Sequence, residues 1–479
     1  MKTWEDLKLA PDKMEFVNMA ISDYKAGRMY QEACDGYAYF RRRNTTIMNF
    51  RKLLYKITGE VVPDNYSANY KFCNGFFQIF AKQENSFLLG NGVTFNNDKT
   101  KEALGGDSFD KEIYSAGEFA LWGAVAYLYF DMGTVDVFKA TEFVPLVGEE
   151  DGGLHAGIRF WQISADKPLR ATLYEEDGFT EFMWKKGNGE ILQPKRAYKI
   201  NKVVSVADGE QIIDGENYPG FPIVPLWANR EHQSELIGLK EKIDGYDLIQ
   251  SGFANDLDDA SMIYWTLQNA GGMDEVDLAN FLDQIRRVKA AVVEDDGAKA
   301  EAHTMDVPYQ ARQAALADLR DSLYRDAMAL DTDKLSAGNV TATAIESAYE
   351  SLELKCDGFE YCVTEAITAL LALAGIEDDA PTYHRRKTTN QPEVTNMVLA
   401  AAQYLDDETV LKHLPFLNID EIDEIIVRRD KEEADRYAQL EAQLADIQNE
   451  GDEGDTTGTG EEGDDDAGQS KTPNGQKIK

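Results

Sequence analysis

Clustered carboxylates are the first groups in this 479-residue chain whose types and spacing invite chemistry. Asp256, Asp258 and Asp259 lie together, and Asp331 with Asp333 begins like a calcium-binding loop. Neither pattern completes a metal site. Three side chains two and three positions apart on a helix do not converge well on one ion. Leu335 and Ser336 stand where a calcium loop requires a third Asp or Asn and a Gly. His155, His232, His303, His384 and His413 are dispersed, and no GxSxG, HExxH or GxxxxGK[ST] occurs. The sequence therefore predicts no catalytic centre, no metal and no cofactor. The acidic groups are expected to form a solvated or channel-facing surface. A basic run, Arg41-Arg42-Arg43, is flanked by Tyr37, Tyr39 and Phe40. In so acidic a chain it suits an ion-pair site between subunits better than a nucleic-acid site.

The charge balance sharpens this. Asp and Glu number 86 against 49 Lys and Arg, a net charge of −37. Glu450–Asp466 holds nine acids and no base, and Lys471, Lys477 and Lys479 return three charges, so most of the excess lies in the body. Wrapping nucleic acid tightly needs Lys and Arg to displace counterions from phosphates, which this body lacks. An acidic wall can still let a duplex slide past without sticking. The polar opening Met1–Ala10 predicts no signal peptide, and no run of about 18 apolar residues predicts a membrane span. Cys34, Cys73, Cys356 and Cys362 form no CxxC pair and read as small packing residues in a reducing compartment.

The elements that must position these groups follow from periodicity. Residues 1–225 read as mixed α and β. Helices are expected over Asp12–Ala26, Asn44–Ile57, Asn69–Leu88 and Lys111–Gly123, with a short strand at Val93–Phe95. From Ala124 to about Val224, apolar runs alternate with turn signals, predicting antiparallel hairpins. Asn229 to about Leu267 reads as one helix of roughly 55 Å. Its apolar seam includes Leu236, Leu239, Ile243 and Tyr246, and its acidic face includes Asp244, Asp247 and Asp256. A small module follows, with a helix at Glu275–Lys289 and a hairpin over Ala290–Val307. Next come a helix at Tyr309–Leu330, a polar interruption at Asp331–Thr341, and a longer helix with capping-box spacing at Thr343 and Glu346, ending at Gly375. Residues 393–447 read as a helical unit. Beyond Glu450 the composition cannot bury enough surface to fold.

The order of these elements resembles the SPP1-like phage portal proteins, over most of residues 15–445. The local matches are Tyr24-Lys25-Ala26-Gly27 with Tyr37-Ala38-Tyr39-Phe40, the helix running from Asn69 into Phe87-Leu88-Leu89-Gly90, and the strand entry Trp122-Gly123-Ala124-Val125-Ala126-Tyr127. Phe221-Pro222-Ile223-Val224-Pro225-Leu226 precedes the long helix, and His413-Leu414-Pro415 leads into acidic Asp420–Glu424. One departure is that the family's Asn after the Pro225 position is displaced to Asn229.

The resemblance implies an α+β portal fold: a wing (1–225 with 344–376), stem helices (226–268 and 308–330), a clip (269–307) and a crown (377–449), followed by an acidic tail (450–479). The segment 331–343 would be a channel loop facing DNA, with Asp331, Asp333, Lys334, Leu335, Ser336, Asn339 and Val340 as its site residues. Lys334 is its only cation. The clip would dock the terminase motor, with Arg286, Arg287 and Lys289 as candidate contacts. Other implied partners are further copies of the chain in a closed ring, commonly twelve, the major capsid and scaffold proteins, head-completion or adaptor proteins, and double-stranded DNA passing through unread. The implied location is the portal vertex of the virion, with assembly in the host cytoplasm. Two readings compete: another head–tail structural or adaptor protein, and a metal-dependent carboxylate enzyme.

Overall fold

The computed structural model describes residues 2–55, 60–64, 67–185, 187–206, 209–260, 264–268, 299–303, 309–335, 342–385 and 391–414, with scattered residues between 422 and 439. The chain divides near residue 388 into two units.

In the first unit, helix α1 (Trp4–Leu9) is closed by a capping box between Thr3 and Asp6. Helix α2 (Lys13–Ala26) starts where the sequence placed it, because the Asp12 carboxylate accepts from the backbone N–H groups of Met14 and Glu15. Its buried residues Phe16, Val17, Ala20, Ile21 and Tyr24 step by three and four. They share one core with Ile158, Leu173 and Phe182 of the main sheet. Helix α3 (Arg28–Phe40) was not foreseen as a helix. Only Ala33, Gly36 and Tyr39 are buried along it. Gly36 is required because a Cβ there would lie 1.9 Å from the Trp122 carbonyl oxygen.

Two expected helices are shorter than their periodicity suggested. Asn44–Ile57 resolves into α4 (Thr45–Asn49), capped by Asn44, and strand β1 (Leu53–Tyr55), which pairs with β2 (Val61–Pro63). The Asn69–Leu88 helix begins only at Phe76, giving α5 (Phe76–Leu89). Strand β3 (Val93–Thr94), helix α6 (Asp98–Ala103) and helix α7 (Asp107–Gly123) follow.

The hairpin prediction is realised. Strands β4 (Val125–Asp131), β5 (Thr134–Lys139) and β13 (Ile223–Trp227) form an antiparallel sheet in the order β13-β4-β5. Pro225 is tolerated there because β13 is an edge strand. Strands β6 (Phe143–Val147), β7 (Leu154–Trp161), β8 (Leu169–Glu175), β9 (Gly178–Lys185) and β10 (Asn188–Arg196) make a five-stranded meander, and β11 (Lys199–Val206) pairs with β12 (Gly209–Glu216). Helices α5 and α7 and the β4 sheet bury Phe77, Phe80, Leu88, Leu121, Trp122 and Tyr127 in one core.

The long helix expected over 229–267 is α8 (Lys240–Ala260) alone, about 31 Å long. Residues 229–239 are irregular because side chains compete for the backbone. Asn229 binds the Gln233 backbone at both ends, and the buried Ser234 hydroxyl donates to the Trp122 carbonyl at 2.8 Å. Tyr264–Gln268 forms strand β14 instead, paired with β15 (Lys299–His303), which lies in the return arm of the expected 290–307 hairpin. Helix α9 (Tyr309–Asp326) stops four residues before the expected Leu330. Part of the polar interruption is a helical turn, α10 (Thr332–Leu335), and α11 (Ala342–Ala374) already includes Thr343, which is therefore not its cap. Gly375, at φ +77°, ends α11 in a Schellman turn, with Ile376 N–H donating to the Leu371 carbonyl and Gly375 N–H to that of Ala372. Strand β16 (Thr382–Tyr383) pairs with β3, so residues 377–385 belong to the first unit. The second unit contains α12 (Gln391–Ala401) and α13 (Asp407–Lys412), the latter capped by Asp406.

The acidic face assigned to α8 also changes role. Asp247 is 0% exposed and lies at the centre of a polar zipper. The extended residues before α5 run antiparallel to α8. Tyr70 N–H donates to Asn255 Oδ1 (2.7 Å), Phe72 N–H to Ser251 Oγ (3.0 Å) and Asn74 N–H to Asp247 Oδ1 (3.1 Å). Two extended residues advance about 6.7 Å and four helical residues about 6.0 Å, so every second N–H meets every fourth side chain. Asn74 Nδ2 and Asn44 Nδ2 complete the shell of Asp247 at 2.6 and 2.8 Å. The Tyr39 hydroxyl donates to Asp244, and Asp256 is paired with Arg312. These three carboxylates are thus tied into the fold, not presented on a bare acidic face. Asp247→Ala leaves several buried donors unpaired and is expected to destabilise the first unit by about 3 kcal/mol. Urea unfolding checks this, and an unchanged midpoint contradicts it.

Candidate functional site

The segment 331–343 is positioned by what grips its ends. The Gln83 side-chain amide of α5 reads the Leu330 peptide from both sides: Nε2 donates to the Leu330 carbonyl at 2.9 Å, and Leu330 N–H donates to Oε1 at 3.2 Å. Leu330 then packs with Phe87 of α5 and with Tyr349, Leu352 and Cys356 of α11 in a small separate core. The Phe87 and Tyr349 rings stack 5.7 Å apart. Both flanks of the segment are therefore fastened to one helix.

Its first residues are more ordered than a polar loop would be. Arg320 of α9 donates to Asp331 at 3.0 Å and to Asp333 at 2.5 Å. Asp331 also accepts from Asp333 N–H at 3.2 Å, which starts the turn. The Lys334 ammonium lies 3.0 Å from Asp321 and 4.0 Å from Asp331. Lys334 is thus not a free cation, as its isolation in the sequence suggested. The pair Asp331–Asp333 that began like a calcium loop is bridged by Arg320. Ser336, Asn339 and Val340 lie outside the described residues, as do Arg286, Arg287 and Lys289. Among the described residues, no group of three or more His, Cys, Asp or Glu is arranged to hold a metal ion, and no helix is long and apolar enough to cross a membrane.

Helices α8 and α9 run antiparallel. Lys242 of α8 reaches Ser322 at 2.7 Å and pairs with Asp326, while Asp256 meets Arg312 at the opposite end. The Phe253 and Tyr309 rings close that end at 5.7 Å.

Sequence reading missed a buried ionic triad beneath this region. Lys355 of α11 lies 2.8 Å from Glu84 of α5 and 2.9 Å from Glu235, in the irregular segment before α8. Burial raises the Glu84 carboxyl well above the usual carboxylate range, with Lys355 opposing and Glu235 adding to the rise. Burial lowers the affinity of Lys355 for its proton, but Glu84 and Glu235 outweigh this, so Lys355 stays charged. Nothing in the spacing of 84, 235 and 355 announces the triad. A lone Lys on the Cys356-Phe359-Val363 side of a long apolar helix was the one available signal.

With this geometry in place, the comparisons decide the family. A family model described as phage portal protein, SPP1 Gp6-like, matches residues 35–443, well over half of the chain. The chain belongs to that family of phage portal proteins. It is 28% identical over 405 residues to the portal protein of Clostridium phage phiCD119, covering 78% of this chain and 87% of that protein. To the portal protein of Bacillus phage SPP1 it is 23% identical over 442 residues, covering 86% and 85%. Among solved structures, it resembles a chain in the neck of a native GTA particle computed with C12 symmetry. The TM-score is 0.40 at 10% identity, over 72% of this chain and 90% of that one. An HK97-family phage portal protein from Corynebacterium diphtheriae gives a TM-score of 0.33 at 10% identity, over 65% and 93%.

For this portal chain the triad predicts a pH-dependent mutant. Lys355→Ala leaves the buried Glu84 carboxylate without its cation, while Glu235 keeps the Asn229 amide at 2.8 Å, and is expected to cost about 3–5 kcal/mol near neutral pH. Removing the ammonium raises the folded-state pKa of Glu84 further. The folded state then binds more protons than the unfolded state from the ordinary Glu value upward. Stability of the variant should therefore fall as pH rises through that window and recover toward pH 5. Thermal melts of both proteins across this range check it, and a loss independent of pH contradicts it.

Proposed function

We propose that this chain assembles into a closed ring at one capsid vertex, with α8 and α9 forming the stem beside the channel and residues 331–343 forming a loop that faces the passing DNA. In this reading the chain is a structural subunit and not an enzyme. The observation that carries the reading is the double anchoring of 331–343. Gln83 and Phe87 of one helix, α5, hold both flanks of the segment, which gives it a fixed base between α9 and α11.

The electrostatics support the same role. A chain of net charge −37 does not hold a polyanion tightly. Within the segment the acidic groups Asp331 and Asp333 are covered by Arg320, and Lys334 is shared with Asp321. Contacts with phosphate at that height are weak and exchangeable. Residues 269–307, carrying Arg286, Arg287 and Lys289, are the proposed face for the terminase motor and later for head-completion proteins. Capsid and scaffold proteins would surround the ring during assembly in the host cytoplasm.

Lys334→Glu tests the channel assignment. It places an acid from every subunit at one height and sets it against Asp321. Like charges on neighbouring copies act together within the Debye length of about 8 Å at physiological salt. Ring formation should be unchanged, while packaged DNA per particle falls several-fold. Lys334→Ala should fall less. Wild-type packaging in both variants contradicts the assignment.

A further inference from the structure

The first unit carries two surface patches that share no residue and carry opposite charge. One is a half-open groove of about 460 Å³ between residues 47–52, residues 69–71, α8 and α9, lined by Phe50, Tyr70, Leu248, Ile249, Ala311 and Ala315. Phe50, Tyr70 and Leu248 are 46%, 50% and 45% exposed, unusual for large apolar side chains on one groove. Its charged lining is mostly basic: Lys52, Lys71 and Arg312, the last paired with Asp256. Arg51 stands in the chain between the lining residues Phe50 and Lys52, Arg43 is exposed four positions before the lining Ile47, and the Lys71 ammonium donates to the Met48 carbonyl at 2.6 Å. Arg43 and Arg51 form no ion pair with any described carboxylate.

The other patch is the outer face of α11. Leu354 and Tyr361 are 66% and 65% exposed. They lie seven residues, or about 10.5 Å, apart on one side of the helix. Glu346, Glu350 and Glu365 share that face and likewise form no ion pair with described residues. The Arg230 guanidinium lies 5.4 Å from the centre of the Tyr361 ring.

We propose that the acidic α11 ridge of one copy docks on the basic-rimmed groove of the next, with Leu354 and Tyr361 as the apolar knobs. Two different patches meeting head to tail make a heterologous contact, the kind that repeats around a ring until it closes. Among the described residues, each patch leaves unpaired the charges that the other would neutralise. A nucleic acid on the groove would use Arg43 and Arg51 but leave the apolar groove and the acidic ridge unexplained. The inference rests on the ring assembly proposed above and names the surfaces that build it.

Charge exchange in the full-length chain tests it, with assembly followed by mass photometry at moderate salt and folding by thermal melting. Arg43→Glu with Arg51→Glu should weaken ring formation at least tenfold while the melting temperature holds. Glu346→Arg with Glu350→Arg should do the same. Combining all four substitutions in one chain should restore rings. Normal rings in both charge-reversed pairs overturn the docking while leaving the portal reading intact. Normal rings with loss of packaged DNA in the Arg43/Arg51 pair also overturn it, by assigning the rim to nucleic acid. A wild-type chain that stays monomeric overturns both readings.

Discussion

The burial of one carboxylate, Asp247, organises the first unit. An ionised group out of water must be met by donors, and Asp247 draws them from Asn44 and Asn74 on two other segments. Meeting that demand holds residues 69–74 extended, delays the start of α5 to Phe76 and fixes α8 against the N-terminal helices. Burial raises the Asp247 carboxyl above its ordinary range even with those hydrogen bonds, so the site tolerates the charge only as long as the zipper is complete. From α5 the constraint passes onward. The same helix supplies Gln83 and Phe87 to the channel segment and Glu84 to the triad with Lys355.

The large negative charge is distributed in two ways. Inside, carboxylates are engaged by specific donors: Asp247 by asparagines, Glu84 and Glu235 by Lys355, and Asp331 by Arg320. Outside, Glu346, Glu350 and Glu365 of α11 form no ion pair among the described residues, nor do Arg43 and Arg51. Exposed pairs within one chain contribute little to stability. Matched unpaired charges on two separate faces instead favour one partner and orientation over others.

Much of the fold was legible in the sequence. Asp12 and Gly375 marked helix ends because each supplies a local backbone solution, a cap and a left-handed residue. The hairpins of 125–224 were legible because a period of two and Gly-rich turns are both local signals. The failures were tertiary. Asn69–Leu88 has helical spacing, but the side chains of Asp247, Ser251 and Asn255 capture its first N–H groups. Residues 229–239 have the right apolar spacing, but Asn229 and Ser234 divert the backbone. In the candidate site, the position of the polar interruption was readable. The pairing of Lys334 with Asp321 and the triad at 84, 235 and 355 were not, since each joins residues far apart or on different elements. The family resemblance was legible as an order of elements, and the match over residues 35–443 bears it out.

Electron microscopy of the purified full-length chain tests the central claim most directly. The account predicts closed rings with a through-channel, α8 and α9 beside the bore and residues 331–343 projecting into it. Particles that remain single chains, or rings that carry 331–343 on their outer surface, would contradict it.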